Sequence, residues 1–364
     1  MRVARIAGID IRVDPFVGIL AFLISYNLWP LFSDRLRFPG LGGGAALAYS
    51  VLTALLFVLS ILAHELAHAV MFRLRGIAVL GVTLHMFGGV TEGGSEAKRP
   101  WDEFIVAIAG PVTTGLLGAA FLFARNSLQG ADPEPLRLMF TYLGRLNVAI
   151  GLFNLLPGFP LDGGRVLLAG AWRLTGDRAR ATTIAARVGQ GVALLIGGAG
   201  LIDLANTGSL WGIWPLLIGL MLFQSSSAAL AQSRRRTMLR GATVGQVMSS
   251  PPPTIPADLP ISVALERHLD GHDGEAFPVM EQGRVVGFIS PAMARSVPLG
   301  GMVRDAMVGT DTAEVADPDE PMESLIRRIG DGRVQTVLVM KDGSLIGVIE
   351  PEDMERFFRR RGEQ

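Results

Sequence analysis

The chain has 364 residues, is 49% hydrophobic and only 18% charged, and has a mean hydropathy of +0.40. Soluble domains carry about 25% charge, so the bulk points to a membrane protein, and a formal net charge of zero gives no reason to expect a nucleic-acid partner. With no cysteine, disulfides, thiolate metal sites and cysteine nucleophiles are all excluded.

The N-terminus, MRVARIAGIDIRVDPF, is basic and then turns apolar. It lacks a small-residue cleavage site and reads as the start of an uncleaved first helix rather than a signal peptide. A bilayer-spanning helix needs about 20 apolar residues, and six runs qualify or come close: residues 16–31 (the shortest), 45–72, 104–123, 138–156, 181–203 and 210–230. Residues 166–174 are apolar but too short to span. Residues 77–90, IAVLGVTLHMFGGV, carry strand-like patches and glycine punctuation, which predicts a small hairpin or sheet between the second and third spans. Arg2, Arg5 and Arg12 precede the first span, Arg73, Arg75, Lys98 and Arg99 follow the second, Arg165, Arg173, Arg178 and Arg180 follow the fourth, and Arg234 to Arg236 follow the sixth. Basic short loops face the cytoplasm, so both termini are expected there, in a multi-pass protein of the cell membrane.

Past Ser233 the chain turns soluble and repeats itself. VGQVMSS at Val244 is echoed by VRDAMVG at Val303, and FPVMEQGRVVGFISP at Phe277 by VLVMKDGSLIGVIEP at Val337. Each copy predicts a helix-like stretch, a strand, an EQG or KDG turn and a second strand. A repeat of this kind buries its apolar face on its neighbour, which favours a packed α+β pair over two independent modules. The expected domains are a transmembrane domain at 1–232, a linker at 233–242, and copies at 243–300 and 301–361.

The strongest chemical signal is AHELAHA. His64 and His68 are four apart, so a helix puts both imidazoles on one face with Glu65 beside the first. This is the zinc-binding HExxH pattern, with two histidine ligands and a glutamate general base. The competing reading, three polar side chains merely satisfying one another, sits poorly in an apolar run where ionisable groups are expensive. A catalytic zinc usually takes three protein ligands plus water. The third candidate is Asp162 in NLLPGFPLDGGR, where Pro157 and Pro160 break the fourth apolar run and Gly163 and Gly164 permit close approach. Asp162 could instead cap the following helix. Asn154, eight residues earlier, could donate to an oxyanion or substrate backbone, or bond between helices. His85 reads as a satisfied polar group in the hairpin, and His268 and His272 as a helix end and a turn.

AHELAHA together with NLLPGFPLDGGR resembles the site-2 protease family of intramembrane metalloproteases, and the repeat resembles a tandem pair of cystathionine-beta-synthase (CBS) domains. The resemblance implies a polytopic helical membrane domain of about six spans with a small membrane-associated β-sheet, followed by the soluble pair. It implies one zinc per chain on His64, His68 and Asp162, with Glu65 as base and Asn154 positioning substrate. Substrates would be membrane-anchored proteins cut within their transmembrane segments, such as anti-sigma factors or signal-peptide remnants. Residues 88–90 resemble the segment that aligns an unwound substrate strand. CBS pairs often bind adenine nucleotides and associate as homodimers. Here Ser290 and Asp353 stand at candidate nucleotide positions, whereas Met293, Ala294 and Glu350 depart from the usual pattern. The alternatives from other classes are a CBS-regulated transporter and an inactive scaffold that binds membrane segments. The complete HExxH with LDGG argues against both.

Overall fold

The structure, a computed structural model, describes residues 2–362 apart from 7, 86–87, 95, 129–133, 252, 273–274, 299, 311–313, 330–335 and 343. Part of the second histidine motif and Gly343 of the KDG turn therefore lie outside the described residues. The chain divides into two compact units, Met1–Ser233 and Arg234–Gln364.

The first unit opens on a hairpin, β1 (Arg2–Ile6) and β2 (Ile9–Val13), where the sequence reading has the start of a helix. The apolar residues of β2 alternate, with Ile9 and Ile11 buried, and Gly8 supplies a positive φ of 80° at the turn. Then come α1 (Phe16–Phe32) and α2 (Gly43–Leu74), followed by β3 (Val79–His85) and β4 (Gly88–Gly93). The four strands form one sheet in the order β1-β2-β3-β4, with β2 parallel to β3 and β4 at an edge. The predicted hairpin is thus present and is half of a larger sheet. Ile9 and Val82 pack with Ala69 of α2, so this sheet lies against the helix that carries the HExxH motif.

Next come α3 (Pro100–Ser127), α4 (Glu134–Asn154), α5 (Asp162–Thr175), α6 (Arg178–Thr207), a short turn at Leu210–Gly212 and α7 (Ile213–Leu239). Pro100 at the first position of α3 and Asp177 capping α6 through Ala179 N and Arg180 N explain two helix starts. Among the described residues five helices are long and apolar enough to cross a membrane, and α1 is a shorter apolar helix of 17 residues. Their mostly exposed apolar faces suit lipid, whereas the buried faces hold small residues and polar ones such as Ser50, Thr53, Ser60, Thr114 and Asn147.

The second unit is a pseudo-symmetric pair. One sheet holds β5 (Ile255–Pro256), β6 (Phe277–Glu281), β7 (Arg284–Ile289) and β8 (Val308–Gly309); the other holds β9 (Val315–Ala316), β10 (Val337–Lys341) and β11 (Ser344–Ile349). Burial runs identically along the paired strands of the two copies. Gln282 and Gly283, both at positive φ, close the two-residue EQG turn. The copies interlock. The segment around Val244 packs into the core of the second copy with Leu325, Val337 and Ile349, while Val303 packs into the core of the first with Ile255, Ile261 and Ile289. Ala276, Phe288, Leu338 and Val348 form a third cluster between them. Neither copy could keep its core alone, so the packed pair is the one observed.

Candidate metal centre

Three helices supply the centre. α2 carries His64, Glu65 and His68, all buried, with about 9–15 Å of helix rise between the histidines and its end at Leu74. α3 runs beside it. α5 begins at Asp162 itself, with Leu161 as the N-cap residue and no side-chain cap bond, so the capping alternative for Asp162 is not what the structure contains.

The donor atoms converge. His64 Nε2 lies 3.1 Å from His68 Nε2 and 3.1 Å from Asp162 Oδ2, and His68 Nε2 lies 3.3 Å from Asp162 Oδ1. Among the described residues this is the one His/Cys/Asp/Glu group able to hold a metal ion. The far side of each ring fixes its tautomer. His68 Nδ1 is 2.7 Å from the Val106 carbonyl oxygen, which can only accept, so Nδ1 carries the hydrogen. His64 Nδ1 is 3.3 Å from Thr114 Oγ1, whose own proton points to Gly110 O at 2.9 Å, so the hydroxyl accepts from this ring too. Each ring therefore turns its Nε2 toward the other ring and toward the Asp162 carboxylate, where the three atoms could hold one cation. Ligands about 2.0–2.1 Å from a tetrahedral zinc lie about 3.3 Å apart, and the three observed separations fit that spacing.

Backbone without side chains makes the convergence possible. A Cβ on Gly110 of α3 would lie 2.3 Å from His68 Nε2 and 2.4 Å from His64 Nε2. Gly163 presses on the Leu155 and Leu156 carbonyls, where a Cβ would meet oxygen at 2.2 and 2.3 Å. That close fit folds the start of α5 back onto the end of α4. The intervening loop is pinned by Ser226 of α7, whose hydroxyl donates to Phe159 O at 3.2 Å.

Glu65 faces the sheet. Thr91 of β4 donates to Glu65 Oε2 at 2.8 Å, and the Glu65 main-chain carbonyl lies 3.0 Å from the same hydroxyl. A Cβ on Gly89 would come within 2.2 Å of Glu65 Cγ. The sequence reading missed Thr91 and Gly110. The first sits on an edge strand and the second is one glycine among 45, so only their spatial neighbours single them out.

The remaining candidates fall elsewhere. Asn154 is the last residue of α4, half-buried, with no hydrogen-bond partner among the described residues, so it does not bridge helices. His85 ends β3, half-exposed, 3.8 Å from Asp14 Oδ2 and outside the metal group. His272 is exposed and pairs with Glu275 at 3.0 Å. In the tail, Ser290 caps the short helix Pro291–Arg295 by accepting from Met293 N. Asp353 is buried and accepts from Glu350 N and Ser249 Oγ, each at 3.0 Å.

A HExxH helix closed by a carboxylate from a distant helix, all within an apolar bundle, defines a metallohydrolase centre in a membrane protein. The profile of peptidase family M50 matches residues 52–134 and 131–196, and that of the CBS domain matches residues 244–293. Rip3 of Mycobacterium tuberculosis is 34% identical over 363 residues, covering 97% of this chain and 91% of its own. The zinc metalloprotease MJ0392 of Methanocaldococcus jannaschii is 28% identical over 357 residues, covering 98% and 95%. The solved site-2 protease from Methanocaldococcus jannaschii is 24% identical, with a TM-score of 0.43 over 63% of this chain and 94% of that one. The chain belongs to peptidase family M50, the site-2 proteases, in the subgroup that carries a CBS tail. It is a multi-pass membrane zinc metalloprotease.

Proposed function

We propose that the chain is an intramembrane endopeptidase that cuts the transmembrane segments of membrane-anchored proteins, with zinc held by His64, His68 and Asp162 and with Glu65 as general base. The observation that supports this most is the convergence of three donor atoms, with both imidazole tautomers fixed, beside a glutamate bonded from an edge strand. When bound, zinc supplies Lewis acidity toward water and the scissile carbonyl. Glu65 takes the proton of the attacking water and returns it to the leaving amine. The Val106 carbonyl and Thr114 hydroxyl hold the Nδ1 hydrogens and so aim both Nε2 atoms at the metal position. Thr91 holds the Glu65 carboxylate in one rotamer and leaves Oε1 to receive the proton. Asn154, at the end of α4, would donate its amide to the substrate backbone or the developing oxyanion.

A transmembrane helix hides its carbonyls in its own hydrogen bonds, so cleavage requires local unwinding. The free edge of β4, whose Gly89 and Thr91 touch Glu65, suits capture of the unwound strand by β-augmentation. Anti-sigma factors and signal-peptide remnants are substrates of the right class. The basic residues flanking the spans put both termini in the cytoplasm.

The CBS pair would act as the regulatory part and as a contact for homodimerisation. An adenine nucleotide between the copies would meet Ser290 and Asp353 already engaged as helix caps and Glu350 in place of a hydroxyl, so it would bind through the remaining cleft backbone. Titration of the full chain with ATP, ADP and AMP by calorimetry tests this. Absence of heat for all three assigns the tail to association alone.

The test of the main reading is metal analysis joined to substrate trapping. Purified protein should hold one zinc, and Glu65→Gln should keep it while retaining uncleaved membrane-anchored partners. Cleavage by the purified Glu65→Gln protein would refute the mechanism.

A further inference from the structure

A charge cluster around the buried Glu103 lies one helical turn from the metal group and has no part in the chemistry above. Glu103 of α3 is buried, with its side chain 4% exposed, and Arg165 Nε of α5 donates to its Oε1 at 2.8 Å. The Arg165 guanidinium also lies over the Phe72 ring of α2, 5.4 Å from its centroid. Arg178 of α6 approaches the other Glu103 oxygen at 3.6 Å, bonds to Glu96 and stacks over Trp172.

The sequence positions of these contacts carry the argument. Phe72 is one turn past His68 on α2. Glu103 is one turn before Val106, the carbonyl that fixes the His68 tautomer, on α3. Arg165 is one turn past Asp162 on α5. A single guanidinium therefore ties together the three helices that carry or orient the ligands, each at the turn next to its own contribution. Residues three or four apart share a helix face, so a shift of any tie is passed directly to the ligand above it.

We propose that Arg165, through Glu103 and Phe72, is a positioning residue for the metal centre: it sets the register of α5 against α2 and α3 so that Asp162 meets the two imidazoles. This rests on the ligand set proposed above. Arginine suits the task because its planar group can donate in its plane to Glu103 while stacking its face on Phe72, which a lysine ammonium cannot do. Arg178 remains beside Glu103 when Arg165 is changed, so that carboxylate keeps a cation and the fold is spared an uncompensated buried charge.

The experiment measures zinc affinity by chelator competition, and unfolding of the zinc-free protein, for the full chain in lipid nanodiscs. Arg165→Lys and Glu103→Gln should each weaken zinc binding by about tenfold or more, the lower range for residues that orient ligands, with a small change in the zinc-free unfolding midpoint. Leu143→Ala, in the fully buried cluster between α1, α2 and α4, should lower that midpoint more and leave zinc affinity within about twofold, well below the orienting-residue range. Wild-type zinc affinity in both charge variants, or equal weakening in Leu143→Ala, overturns the positioning role. A wild-type chain that binds no zinc overturns the ligand assignment itself, and the positioning role with it.

Discussion

Gly110→Ala separates the fold from the metal centre in one methyl group. The added Cβ would stand 2.3 and 2.4 Å from the two ligand nitrogens. An ordinary carbon–nitrogen contact is about 3.5 Å, so the overlap is about 1 Å at each ring. α3 cannot easily retreat, because Thr114 touches His64 and Val106 touches His68 from the same helix. The rings are the softer partners and should swing away. A zinc–nitrogen bond of about 2.0–2.1 Å does not survive a displacement of about 1 Å. A structural site with four protein ligands binds zinc with about 10–16 kcal/mol, about 3 kcal/mol per ligand, which sets about a hundredfold loss of affinity per ring lost. The helix itself gains, since alanine is favoured over glycine in a helix interior by about 0.8–1.0 kcal/mol. The variant should therefore fold with a zinc-free unfolding midpoint near wild type, yet lose zinc in a chelator competition and lose proteolysis. Wild-type zinc affinity in Gly110→Ala would show that the imidazoles do not point where the tautomer argument puts them.

Asp162→Ala should also lower zinc affinity about a hundredfold, by the same share per ligand; unchanged metal content removes Asp162 from the ligand set. Gly89→Ala is the complementary case, since its Cβ would strike Glu65 Cγ and no imidazole. It should keep zinc and lower kcat by about 10²-fold, the smaller end of general-base effects, and equal loss of zinc would contradict that division of labour. In the tail, burial raises the Glu350 carboxyl above its ordinary value of 4.5, against the bond it accepts from Ala276 N. The folded state then holds that proton more tightly than the unfolded chain. The stabilisation is fully present below pH 4.5 and is lost as pH rises through the folded value. Glu350→Gln keeps the acceptor for Ala276 and removes the charge, so it should raise the unfolding midpoint of the tail at pH 7 and converge on wild type below pH 4.5. A difference that does not change with pH, followed by hydrogen exchange of the β10 and β11 amides, would refute this.

The three residues that converge were legible as candidates because their chemistry is local. His64 and His68 share a helix face by spacing alone, and Asp162 stands out where two prolines end an apolar run. The spans were legible from hydropathy. The N-terminal hairpin was not, although IDIRV alternates after Gly8, because three basic residues before an apolar run also fit a membrane-helix start. Its pairing with β3 joins residues about seventy positions apart, and nothing in either strand names the other. The same holds for Thr91 on Glu65 and for Arg165 on Glu103. In the tail the repeat was plain, but not the exchange by which the segment around Val244 completes the core of the second copy. Two identical patterns cannot say which partner each one fills.

Charge balance explains why the centre takes this form in an apolar bundle. A dication among neutral ligands alone would carry its full charge into a low-dielectric interior, where an isolated ion is very costly. Two neutral imidazoles leave that charge untouched. With the proposed ligand set, Asp162 would remove one unit and Glu65 a second, so the site with its base ionised would be neutral as a whole. Glu103, Glu96, Arg165 and Arg178 repeat the pattern a turn away, two carboxylates against two guanidinium groups. In the proposed reaction, proton uptake by Glu65 would then leave one net positive charge beside the developing oxyanion. In low dielectric that charge attracts the oxyanion far more strongly than it would in water. A carboxylate as third ligand thus serves the resting site and the reaction together, and a neutral third ligand would leave the cation overcharged before any substrate arrived.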